Sequence, residues 1–228
     1  MLLTLYWLRS ARVAHPLFSP RIFQVRSFSV GLLGNLFARL GSGGMPFLLP
    51  LFLQLGLGYP PLSAGLIMIP SALAGIIGKS IIARLTDAVG FRFFLMANTV
   101  AVGTFIAAFS LVTDATPVAA LLLHMGIYGV FNSMQFTAMN SVTLIDLDNA
   151  NVGNGNSLLS VTIQVSITCG VALAAAILNG FNDAAGGALG SGLALRVFHY
   201  TFISTGMFTT AAALVFAQVP KNTARNGC

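Results

Sequence analysis

Only 7% of the 228 residues are charged, 56% are hydrophobic, and the mean hydropathy is +0.88. A chain of that composition cannot cover a water-facing surface, which excludes a soluble globular domain and makes lipid its main solvent. The net charge of +6 resides in short segments between apolar runs, not in a basic stretch interleaved with aromatics, so nucleic acid is not an expected partner.

Residues 1–8 are apolar but too short to cross a bilayer, and their basic neighbours Arg9 and Arg12 follow rather than precede them, unlike a signal peptide. They read as the end of a truncated transmembrane helix, so the chain is expected to be the later part of a longer protein. Residues 9–27 form a basic loop carrying Arg9, Arg12, Arg21 and Arg26. Six apolar runs then follow, at 28–57, 62–85, 93–112, 117–144, 156–180 and 197–219, each long enough for a helical crossing. Their continuity argues for helices, since barrel strands alternate over about 10 residues. The predicted fold is an all-α polytopic membrane protein: a six-helix transmembrane bundle over 28–219 with a tail over 220–228.

With six crossings, Arg9 to Arg26, the pair Arg84 and Arg92, and Lys221 with Arg225 share one side. The opposite loops, 58–61, 113–116 and 181–196, contain one basic residue, Arg196. The positive-inside rule therefore places both termini in the cytoplasm. The 146–156 loop joins that side although it carries Asp146 and Asp148, because acids contribute little to topology.

In the first span Arg39 lies 11 residues past Phe28, about 17 Å along a helix and near the bilayer midplane. Asn35 and Ser42 share its face. An intramembrane cation marks a binding or gating residue, with structural pairing as the bland alternative. Gly41, Gly43, Gly44, Pro46 and Pro50 follow within ten residues, a density that predicts an interrupted helix and a hinge, or else an inert kink.

In the fourth span Tyr128, Asn132, Gln135, Met139 and Thr143 recur every three or four residues and predict one polar face, read as a cavity wall. Ser157, Ser160, Gln164 and Thr168 form a similar stripe on the fifth, read as helix–helix contact because Ser166, Gly170 and Ala174 add small residues for close packing. The third and sixth spans, without charges, read as outer helices facing lipid. His124 is the one histidine deep in a span, and a simple hydrogen bond is its expected role.

No glutamate occurs, and none of Asp87, Asp114, Asp146, Asp148 and Asp183 falls mid-span, so a coupling carboxylate is not expected in this chain. Cys169 and Cys228 are too far apart to pair, and no metal cluster or cofactor fingerprint is present. The Asp146 to Ser157 stretch has Asn151 where a calcium loop needs glycine and Ser157 where it needs glutamate. It reads instead as a turn capped by Asn156 or Ser157. Without a nucleophile elbow, a phosphate loop or a metalloprotease helix, an enzyme is not expected.

The short connection after the second span carries Arg84, Asp87, Gly90 and Arg92, which predict a charged clasp, with Asp87 accepting from an arginine or capping the third span. Asp87, Gly90 and Arg92 resemble the acid-glycine-base signature of the major facilitator superfamily, departing from it at Ala83 and Ala88. Pro16, Arg39-Leu-Gly41-Ser-Gly43, Pro46, Pro50, Phe52-Leu-Gln54-Leu-Gly56, Ala64-Gly65, Asn132-Ser133, Leu144-Ile-Asp146 and Gly155-Asn156-Ser157 are similar to the C-terminal portion of the 14-span drug:proton antiporters. That resemblance implies a bacterial inner-membrane exporter of drugs or other small molecules. Its two six-helix bundles rock around a central cavity, with protons as coupling partner and the N-terminal bundle absent from this chain. It also implies that first and fourth spans line the cavity, second and fifth meet the other bundle, and third and sixth face lipid. Asn35, Arg39, Tyr128, Asn132 and Gln135 are then the expected cavity residues. Two alternatives stand beside it: an exporter of organic anions or chelated metabolites, suggested by Arg39, and a transport-inactive module that needs a partner half.

Overall fold

A computed structural model describes residues 20–187, 189 and 193–218; within these, the side chains of 20, 21, 77, 79–81, 83, 84, 87, 149 and 150 are not described. The predicted helix end over 1–8, most of the basic loop and the 220–228 tail lie outside the described residues.

After a short 3-10 turn, Pro20–Gln24, the helices are α1 Arg26–Ser42, α2 Met45–Leu51, α3 Pro61–Val89, α4 Phe91–Ala108, α5 Val118–Leu144, α6 Asn149–Ala184, α7 Ala194–Ala211 and α8 Ala213–Phe216. No strand occurs among the described residues. The apolar helix is the only open-ended element that satisfies its own backbone in lipid, which is why long apolar runs give this architecture. The stretches Arg26–Gly56, Phe91–Leu111 and Asn151–Ala184 are each long and apolar enough to cross a membrane, and Pro61–Ile76 adds a shorter apolar helix. α5, at 27 residues, has a length of about 40 Å but carries more polar groups.

The first span is interrupted without leaving helical backbone. Gly43 and Gly44 separate α1 from α2 yet keep right-handed helical backbone, at φ −68° and −80°. Pro46 and Pro50 cannot donate to the preceding turn, and directly after Pro50 the chain widens into a π-helical turn, Phe52–Gly56. The interruption expected from the glycines and prolines is therefore two irregular turns inside a helical span.

Two predicted boundaries are corrected. α3 and α4 are separated by Gly90 alone, which turns the chain at φ 79° with its N–H bonded to the Thr86 carbonyl. Asp87 therefore lies inside α3, and no side chain caps α4. The fifth span begins at Asn149, not 156, with Asp148 at the cap position. Gly153, Gly155, Asn156 and Ser157 are inside the helix, and Gly155 faces the side chains of Leu147 and Phe28.

The helices pack through small residues, as expected where lipid removes any hydrophobic force between them. A Cβ on Gly129 of α5 would lie 2.6 Å from the Ser71 Cα of α3, and one on Gly206 of α7 would lie 2.6 Å from the Gly103 carbonyl oxygen of α4. On α6, Ser166, Gly170 and Ala174 are buried, and a Cβ on Gly170 would meet the Arg39 carbonyl oxygen at 2.6 Å, so the small stripe packs on the interruption of span one. At one end Phe52 stands edge-on to Phe198 and Phe202, at 5.7 and 5.0 Å between centroids, within a cluster that includes Met45, Leu48, Ile106, Phe109 and Leu121. Ile22, Phe28 and Leu147 close the other end.

The third and sixth spans each keep an exposed apolar side, with Phe93 and Val100 on α4, Ile203 and Met207 on α7, and Leu214 on α8. α4 buries Asn98 and Thr99 between α5 and α7. Open faces also occur on α3, through Leu62, Leu66, Ile69, Leu73 and Ile76, and on α6, whose apolar core stretch is only 22% buried against 61% for the first span. Ser157, Ser160, Gln164 and Thr168 lie on that open face of α6, so they are not contacts within this bundle; the three hydroxyls bond carbonyls four residues back.

Candidate substrate cavity

A cavity of about 600 Å³ lies between the first span, α3 and α5, with α6 at one edge. Its floor is the interruption of the first span, with Ser42, Gly43, Met45 and Pro46. One wall is α3, through Met68, Ser71 and Gly75, the other is α5, and Ile167 of α6 closes it. Such a space suits a drug-sized molecule: a mostly apolar lining with a few polar groups.

On α5 the lining stripe is Gly129, Asn132, Ser133, Phe136, Thr137 and Asn140, with Tyr128 at its edge. The stripe expected from sequence is centred about 90° further round the helix, at 100° per residue. Asn132 and Tyr128 of the expected residues reach the cavity; Asn35, Arg39 and Gln135 do not line it. The signal for the missed residues was present in the spacing of Gly129, Ser133, Phe136 and Asn140. The neighbouring stripe carries as many amides and hydroxyls, and two of them, Gln135 and Thr143, bond to other helices.

Two polar networks occupy that inner face. Gln135 Nε2 donates to Thr99 Oγ1 at 2.7 Å while its Oε1 accepts from Asn98 Nδ2 at 2.8 Å, which ties α5 to α4. Asn35 Nδ2 donates to Thr143 Oγ1 at 3.2 Å, which ties α1 to α5. His124 also stitches helices: Nε2 lies 3.0 Å from the Phe105 carbonyl oxygen, between the rings of Phe105 and Phe109.

Arg39 joins the inner layer to the cavity. Its Nε donates to Asn35 Oδ1 at 3.2 Å, its Nη2 reaches Asn140 Oδ1 at 3.5 Å, and its Cζ lies 4.0 Å from the Phe136 ring centroid. The residue is 5% exposed. Among the described residues its partners are two amides and an aromatic face, with no carboxylate. Two of those partners, Phe136 and Asn140, line the cavity themselves. Asn132 Oδ1 is buried without a partner among the described residues.

The predicted hinge residues are packed closely. A Cβ on Gly41 would lie 2.8 Å from the Thr209 Cα, and one on Gly44 2.9 Å from the Gly170 carbonyl oxygen, while Pro46 reaches the cavity floor and Pro50 does not line it. Of the predicted clasp, Gly90 makes the turn and Arg92 is half-buried in the first turn of α4. The Arg84 and Asp87 side chains lie outside the described residues. Among the described residues no group of three metal-ligating side chains occurs.

No protein-family profile matches the chain. It is 38% identical over 218 residues to "Putative multidrug resistance protein MdtD" of Pectobacterium carotovorum subsp. carotovorum strain PC1, covering 96% of this chain and 47% of that protein. The protein of the same name from Escherichia coli O81 strain ED1a is 38% identical over 231 residues, 98% of this chain and 47% of its own length. That of Cronobacter sakazakii is 39% identical over 212 residues, 92% of this chain and 44% of its own. The chain spans about half the length of the curated relatives it matches.

Proposed function

We propose that the chain is one six-span bundle, the C-terminal one, of a secondary exporter of small molecules in a bacterial inner membrane, working by alternating access. The carrying observation is the 600 Å³ cavity floored by an irregular helix and walled by Asn132, Ser133 and Asn140. Irregular backbone beside a polar cavity at membrane depth is where transporters hold cargo. The similarity to multidrug resistance proteins supports the reading, and so do the open faces of α3 and α6, which flank the cavity where a second bundle would close it. Without a mid-span carboxylate in this chain, proton coupling falls to acids of the other bundle. Both termini are cytoplasmic by the distribution of arginine and lysine.

Arg39 favours a second reading, an organic anion as cargo. Its charge sits one ring and one amide away from the cavity with no acid beside it among the described residues. Ethidium and carboxyfluorescein flux in proteoliposomes, with and without an imposed proton gradient, separates the readings. Gradient-dependent movement of either dye supports an exporter, and the dye moved gives the charge of the cargo. Movement of neither dye, by a preparation that holds both bundles, counts against the exporter and for a module without transport.

A further inference from the structure

We propose that the end of the bundle opposite Arg26 and Arg92 holds a site for one anionic phospholipid, seated between the C-terminal turns of α6 and the N-terminal turns of α7. A second cavity of about 330 Å³ lies there, lined by Phe181, Ala184, Leu193, Arg196, Val197 and Tyr200. Among the described residues its walls are apolar apart from Arg196, which is exposed, and the phenol of Tyr200 one turn along the same helix. The Phe181 and Tyr200 rings lie 5.6 Å apart and tie the two helices across the gap.

Three observations select the occupant. Arg196 is the one basic residue among the loops on that side, where topology disfavours basic residues, so an anion to pair with gives its presence a reason. A guanidinium with a phenolic hydroxyl beside an apolar floor matches a phosphodiester and glycerol above acyl chains, whereas a free phosphate would leave the floor unfilled. From the cavity mouth an exposed apolar stripe, Tyr200, Ile203, Met207 and Leu214, runs along α7 and α8. Tyr200 to Leu214 covers about 21 Å of helix, more than the roughly 15 Å of one leaflet's hydrocarbon, so an acyl chain has a continuous track. α7 contributes nothing to the wall of the first cavity, so this face points away from the place a second bundle would occupy.

The test is phosphatidylglycerol binding to the purified, delipidated protein in detergent, read by native mass spectrometry. Arg196→Gln should weaken one lipid-binding event about five- to tenfold. Ala184→Phe, which fills the cavity and keeps the charge, should weaken the same event, while Arg26→Gln at the other end should leave it intact. Glycerol 3-phosphate should not displace the lipid. Equal phosphatidylglycerol binding by Arg196→Gln, Ala184→Phe and the unsubstituted protein would overturn the site. Full displacement by glycerol 3-phosphate would overturn the lipid in favour of a soluble phosphate.

Discussion

The ring of Phe136 covers the Arg39 guanidinium, 4.0 Å from Cζ to centroid, and also forms part of the cavity wall. A buried cation is thereby held one side chain away from the space where cargo would sit. Cation–π contact and two amide acceptors compensate its desolvation in place of an acid.

Arg39→Ala should destabilise the protein by about 1–3 kcal/mol, because it leaves the fully buried Asn35 Oδ1 without its donor. Arg39→Lys should recover only part of that, since an ammonium cannot stack flat on Phe136 and reach both amides together. Equilibrium unfolding in mixed micelles measures both.

Asn98→Leu should cost about 1–2 kcal/mol by orphaning Gln135 Oε1 in a dry interface. The double substitution Asn98→Leu with Gln135→Leu should cost less than the sum of the two singles. A double-mutant cycle gives the coupling, and dye flux should stay near normal because neither residue lines the cavity.

Gly129→Val should destabilise by about 1–3 kcal/mol or block folding, because α3 backbone at Ser71 fills the space its side chain needs. Gly153→Ala should instead stabilise by up to about 1 kcal/mol: the glycine is helical, and nothing lies within 4 Å of an added Cβ. Thermal unfolding of the two variants should move in opposite directions.

Pro50→Ala restores a backbone donor just before the π-helical turn and should favour regular α-helix there. If that turn moves during transport, dye turnover should slow several-fold while dye affinity stays the same. Flux and binding measured on one preparation separate the two.

The apolar runs made the helical segments legible, and the glycines and prolines of 41–50 marked where the first is irregular. The helix starts near 90 and 149 were not legible. A single Gly90 suffices as a connection, and Gly153 with Gly155 read as a turn until Leu147 and Phe28 are seen packed on the latter. The spacing on α5 showed a polar face correctly, but periodicity does not reveal which of two adjacent stripes meets a neighbouring helix. Gln135 and Thr143 find partners on α4 and α1, and those helices come from sequence 36 and 108 residues away from their partners. Asn140 accepts from Arg39 and Ser133 donates to the Gly75 carbonyl, and both also line the cavity.

Single cysteines along α5, in a background with Cys169 and Cys228 replaced, test the central claim most directly. In membranes carrying the protein, a water-soluble maleimide should label positions 132, 133, 137 and 140 and spare 135, 139 and 143. Labelling of 135, 139 and 143, with 133, 137 and 140 protected, would contradict it.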